Sequence, residues 1–198
     1  MNASGTVVTA VAPATANIVT NAAGTKYVSV GVTNAQIAKI NVDTTTGAVT
    51  DAYTLGGTLQ TTIDDGFATT GGSLQVTNLH VDLTNKKVFA NIVGANGVGT
   101  LNNFYLWDIT SITGATHFAA GTSLTTLSGL KITAAGFTAF SNALGLTAIG
   151  QGALAGVTDF GTISSSITVT AVPEPSSYAL ALAGLAGVGL IARRRRVK

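Results

Sequence analysis

The stretch Gly72–Ile109, GSLQVTNLHVDLTNKKVFANIVGANGVGTLNNFYLWDI, decides the fold. Its apolar residues alternate with polar ones at Leu74 and Val76, slip by one residue at Thr77-Asn78, then resume at Leu79, Val81 and Leu83. A period of two marks a half-buried strand, and a one-residue slip within it predicts a β-bulge. Thr84-Asn85-Lys86-Lys87 reads as a turn and VFANIV as the returning strand. Asn96-Gly97 then supplies the pair that favours a tight hairpin turn. LNNFYLWDI continues as a further strand, with Tyr105, Trp107 and Ile109 expected on one face and Phe104 and Leu106 on the other.

Working outward, AKINVDTTTGAVTDAY (38–53) follows the same plan as TNLHVDLTNKKVFANI: an apolar residue, Val-Asp, a polar turn and a returning strand. The shared plan predicts related halves or consecutive hairpins of one sandwich. In KITAAGFTAFSNALGL (131–146) the period changes. Thr133 suits an N-cap, Ile132 and Phe137 suit a hydrophobic staple, and Gly145 suits the position after the helix. Phe137, Phe140 and Leu144 are predicted to share its buried face. A Gly-rich loop follows, and TISSSITVTAV (162–172) reads as a closing strand. The expected fold is therefore mainly β, an antiparallel β-sandwich with one short α-helix.

Composition narrows the function. Of 198 residues, 46% are hydrophobic but only 9% are charged, against a usual charged share of about 25%. The charges are also unevenly placed. Residues 1–172 hold five lysines and seven aspartates, a net of −2, whereas every arginine lies between 193 and 196. The basic character belongs to the tail, which leaves the body no electrostatic basis for a nucleic-acid partner. There is no cysteine, hence no disulfide and no thiolate metal site.

Catalytic chemistry finds few candidates. Only His80 and His117 can serve as a histidine base. His80 should share a polar strand face with Asn78 and Asp82, and His117 lies in the loop-like GATHFAAG. The body has no glutamate and scattered aspartates, so paired carboxylates are not expected. Asp64-Asp65-Gly66 lacks the alternating oxygen ligands of a calcium loop and reads as a polar turn. Neither catalytic residues nor a metal or cofactor site is expected in the body.

The C-terminal sequence VPEPSSYALALAGLAGVGLIARRRRVK (172–198) is of another kind. Pro173 and Pro175 end the domain, because proline breaks regular structure. No charge occurs from Pro175 to Ala192, 18 residues that as a helix would reach about 27 Å, close to a bilayer's hydrocarbon core. A transmembrane helix over 176–192 is predicted, with small residues at Ala179, Ala183 and Gly187 suited to close helix approach. Arg193, Arg194, Arg195 and Arg196 would stay on the cytoplasmic side, leaving the body outside.

That order of Pro-Glu-Pro, short apolar helix and arginine cluster resembles the PEP-CTERM sorting signal of Gram-negative bacteria, also labelled an ice-binding-protein C-terminal domain. The resemblance implies two parts, an extracytoplasmic β-domain over 1–171 and a sorting signal over 172–198. Pro173, Glu174 and Pro175 would be the element read by an exosortase, an integral-membrane protease or transpeptidase, and Arg193–Arg196 the membrane stop. It also implies a passage through the inner membrane, release to the cell surface or medium, and a link to extracellular polysaccharide or biofilm. The family expects a secretory signal, and MNASGTVVTAVAPATANIVT shows neither a basic start nor an apolar core, so either a true start upstream of Met1 or a fragment of a longer chain is expected.

A second resemblance covers about 72–146. Its GGSLQVTNLHVDL, VFANIVG and LSGLKITAAGFTAF segments are similar to HtaA-type envelope domains. That likeness implies a haem-binding alternative with a tyrosine ligand. Tyr27, in GTKYVSVG, departs from the family's motif, and Tyr105 lies in a strand.

Overall fold

A computed structural model describes residues 5–33, 35–117 and 120–170. Eleven strands and two helices follow in order: β1 (Val7–Val11), β2 (Thr15–Thr20), β3 (Tyr27–Thr33), β4 (Ile37–Val42), β5 (Val49–Thr54), β6 (Gly57–Thr62), β7 (Gly72–Asp82), β8 (Lys87–Gly94), β9 (Gly99–Gly114), β10 (Gly121–Ile132), α1 (Ala134–Ala143), α2 (Ala148–Ala155) and β11 (Thr162–Val169). Nine strands form one antiparallel sheet, and β2 with β3 forms a separate hairpin.

The predicted bulge organises the sheet. Between Thr77 and His80 the register against β8 shifts by one residue, and Asn78 adopts φ 52°, a left-handed conformation that asparagine tolerates. The bulge divides β7 between two neighbours on its other side. Gly72–Thr77 pairs with β6, and His80–Asp82 pairs with β5. At the junction the Asn78 amide donates to the Gly56 carbonyl at 3.0 Å, and Asn78 Oδ1 accepts from the Gly56 amide at 3.3 Å. Two further shifts interrupt the β8–β9 pairing, and the second of them follows Asn103, with φ 47°. Bulges sharpen twist and bend, and here they curl the sheet.

Two apolar clusters fill the concave side. Leu74, Val76, Ala90, Ile92 and Leu106 are covered by Phe140, Ala143 and Leu144 of α1 and its C-cap. Val81, Val88, Ile109, Leu127 and Leu130 form the second cluster, with Ala52 and Ile163 packed against it. There the β4–β5 and β10–β11 ends face one another. The Val49 amide donates to the Thr116 carbonyl at 2.8 Å, tying them at one margin. This is the mainly β, antiparallel, face-to-face packing that the alternation implies.

The hairpin parallel also holds. β4–β5 and β7–β8 lie side by side in the sheet, and each turn is fixed by its aspartate. Asp43 accepts from the Thr45 and Thr46 amides at 2.7 and 3.1 Å, and Asp82 from the Asn85 amide at 2.8 Å. In the β8–β9 turn, Asn96 and Gly97 both have positive φ, as a primed hairpin turn requires.

Three expectations need correction. Leu106 and Trp107 both pack inward, because the β8–β9 register slips between Val88 opposite Trp107 and Phe89 opposite Tyr105. Tyr105 is thereby turned to the convex face, away from Trp107 and Ile109. In α1, Thr133 caps as expected, accepting from the Gly136 amide at 3.0 Å, and Phe140 and Leu144 are buried as expected alongside Gly136, Ala139, Ser141 and Ala143, but Phe137 lies at the rim. Finally, the Gly-rich segment contains a second helix, α2, capped by Thr147, which accepts from the Gly150 amide at 3.2 Å. Gly150 is required for close approach, since a Cβ there would meet the Phe67 carbonyl at 2.3 Å.

Leu106→Ala, which empties a fully buried site between sheet and α1, is expected to cost about 3 kcal/mol in urea unfolding. Leu124→Ala on the convex face, where Leu124 is 66% exposed, should change the midpoint little. Equal effects would contradict the placement of the core.

Candidate functional site: the tail-bearing end and the convex face

β11 is the last described strand, and it leads directly toward the sorting residues. Its eight residues pair with β10 without a register break, from Thr162 opposite Ser128 to Val169 opposite Gly121. Pro173, Glu174, Pro175, Arg193, Arg194, Arg195, Arg196 and the predicted helix 176–192 lie outside the described residues. Among those described, no helix is long and apolar enough to cross a membrane. In sequence, three residues separate Val169 from Pro173.

The end from which the chain leaves is built by the β4–β5 turn, the β7–β8 turn and the β9–β10 connection. Just inside it, an apolar cleft with about 60 Å³ of free space separates the two ends of the sheet. Val49, Ala52, Val81, Leu127, Ile163 and Ile167 line it, and Thr116 and His117 border it. His117 is exposed and bridges Ala48, with Thr116 Oγ1 at 3.4 Å from its Nδ1.

The body's other histidine belongs to the convex face. Register places Tyr53 of β5, His80 of β7, Phe89 of β8 and Tyr105 of β9 in one row. Their rings stack in sequence, with centroids 4.3, 5.3 and 5.3 Å apart. Lys39 lies 5.4 Å from the Tyr53 ring centre and Lys87 lies 4.9 Å from that of Tyr105. These are cation–π contacts at either end. His80 is held at both nitrogens, with Asp51 Oδ1 2.8 Å from Nε2 and Asn103 Oδ1 3.2 Å from Nδ1. Burial pushes the Asp51 carboxyl up, yet bonds from His80, Thr50 and Asn41 together hold it below its ordinary value. The Tyr105 hydroxyl donates to Asp108, which, with partial burial, pushes its pKa up to about 12.

Sequence reading placed His80 and Asp82 on a common polar face, but it missed the aromatic row and the Asp51 partner. Cross-strand register supplies both, and no local motif announces them. Chemically the row is closed: ring faces cover one another, and its hydrogen-bonding groups point within the array. Among the described residues no cluster of three or more metal-ligating side chains occurs.

A β-rich body whose last strand runs into a Pro-Glu-Pro step, an apolar run and an arginine cluster defines the class of exported proteins sorted by a C-terminal signal. Residues 171–196 match the family model of the PEP-CTERM protein-sorting motif. The chain thus carries that motif and is an exosortase-targeted extracellular protein, made as a membrane-anchored precursor and cleaved to the cell surface or extracellular space. The match is confined to the tail. No curated protein and no solved structure matches the chain, and the HtaA-like resemblance gains no support.

Two titrations follow. Of four tyrosines, Tyr105 should ionise near pH 12 in the folded protein, read by ultraviolet absorbance, and Asp108→Asn should bring that step back toward 10. Because its folded pKa lies above the unfolded value, stability falls as pH rises between these values. Asp51 runs the other way. Its contribution is complete above its ordinary value of 3.8 and is lost as pH falls through the lower folded value. Asp51→Asn should flatten the acid limb of the stability–pH curve, and an unchanged limb would contradict the assignment.

Proposed function

We propose that this chain is a non-enzymatic component of the cell envelope or extracellular matrix, deployed among extracellular polysaccharide after an exosortase has processed its tail. The observation that carries the reading is the contrast between its two parts. The tail has a complete three-part sorting sequence, and the body has little that reacts. His80 is locked between Asp51 and Asn103, and the body's other histidine, exposed His117, has only a long contact to the adjacent Thr116 hydroxyl. Arginine, the usual clamp for phosphate or carboxylate substrates, is missing from the body.

The haem-binding alternative has weaker support. A tyrosine ligates iron as the phenolate, and the Tyr105 bond to Asp108 favours the protonated form. Tyr27 sits on the isolated β2–β3 hairpin, in a sheet that contains neither histidine.

Mass spectrometry of the protein recovered from its host tests the main reading. The expected extracellular form ends near Pro173, and Glu174→Ala should leave uncut precursor in the membrane fraction. Recovery of secreted chains ending at Lys198 would overturn it. Titration of the protein with haem, followed by the Soret band, tests the alternative.

A further inference from the structure

β11 is an edge strand, and its sequence is a palindrome. Thr162-Ile163-Ser164-Ser165-Ser166-Ile167-Thr168 reads the same in both directions. The strand pairs with β10 on one side, and its other row of backbone N–H and C=O groups has no partner among the described residues. Proteins usually guard such an edge with a charge, a proline or a bulge. The β4 edge follows that rule, since it carries Lys39 and two register shifts. β11 has none of these across eight regular pairs.

We propose that β11 joins two copies of this chain edge to edge, antiparallel, about a two-fold axis through Ser165. An antiparallel pair runs its two strands in opposite directions, so a palindrome sets each residue against its own kind. About Ser165, Thr162 meets the second copy's Thr168, Ile163 its Ile167, and Ser164 its Ser166. The alternation keeps the faces matched as well. Ile163, Ser165 and Ile167 line the cleft on the inner side, and Thr162, Ser164, Ser166 and Thr168 are exposed. Apolar side chains thereby meet apolar ones and hydroxyls meet hydroxyls. Cross-strand hydroxyl pairs already occur on this face, as between Thr122 and Thr168 at 3.0 Å. Because no charge lies on the strand, two copies approach without repulsion. One curled sheet then continues across both molecules. The partner is specified as a second copy, because a self-reading strand matches its own sequence in a single register.

The full-length chain in detergent micelles provides the test. The protein has no cysteine, so engineered ones report cleanly. Mixing Ser164→Cys with Ser166→Cys chains should give mainly the mixed disulfide dimer under mild oxidation, because directly opposite Cβ atoms lie about 5 Å apart and diagonal ones about 7–8 Å. By sedimentation, Ser164→Lys with Ser166→Lys in one chain should weaken association by about tenfold or more through like charges placed opposite each other. Mixing a Ser164→Lys chain with a Ser166→Asp chain should restore it. Circular dichroism of each variant should show an unchanged fold, since these side chains face solvent. Association that survives the double lysine variant, or disulfides that form equally within and between the two cysteine chains, would overturn the proposal. A monomer at all concentrations would do the same, whatever the fate of the tail.

Discussion

The Asn78 bulge is the constraint on which the body depends. One eleven-residue strand must serve two neighbours along the same edge, β6 at its beginning and β5 at its end. A regular strand cannot change partners without misaligning its faces, since a shift of one residue exchanges inside for outside. The extra residue absorbs that shift. It keeps Leu74 and Val76 in the cluster under α1 and Val81 in the cluster under the sheet's other end. Asparagine suits the position because it tolerates a positive φ and its side chain bonds to the crossing backbone at Gly56.

The curl also separates the chain's two surfaces by chemistry. The concave side is mainly apolar packing, half closed by α1 and half by the sheet's own ends. On the convex side the aromatic row couples four strands, because rings on adjacent strands fall naturally at stacking distance. The His80–Asp51 contact and the capping lysines act within the row. Delivery is encoded in a linear sequence that needs no folded site, which is why a body with so little reactive chemistry can still have a defined destination.

What was legible in the sequence follows from how local each cause is. The bulge showed as a break in alternation, the β8–β9 turn as Asn96-Gly97, and the start of α1 as its N-cap Thr133. The sorting element was legible for the same reason, being contiguous. The slip at Leu106 in β9 left no such trace: Tyr105, Leu106 and Trp107 are all large and apolar in bulk, so nothing marked which one would be skipped. α2 was hidden by Gly150 and Gly152, which disfavour helix, while the reason for Gly150 is a carbonyl 83 positions away in sequence, at Phe67. The Tyr53–His80–Phe89–Tyr105 row depends on three registers at once, and none of the four residues predicts it alone.

The outer surface of β11 and of the β10 residues paired with it carries mainly hydroxyls. Thr122, Thr126, Ser128, Thr162, Ser164, Ser166 and Thr168 interact with water as neutral dipoles. Dissolved salt screens charges at about 10 Å in 0.1 M solution, but it has little to screen on a face of this kind. A protein exposed outside the cell meets whatever ionic strength its surroundings impose. A face hydrated by neutral hydroxyls responds to that ionic strength less than a charged face would.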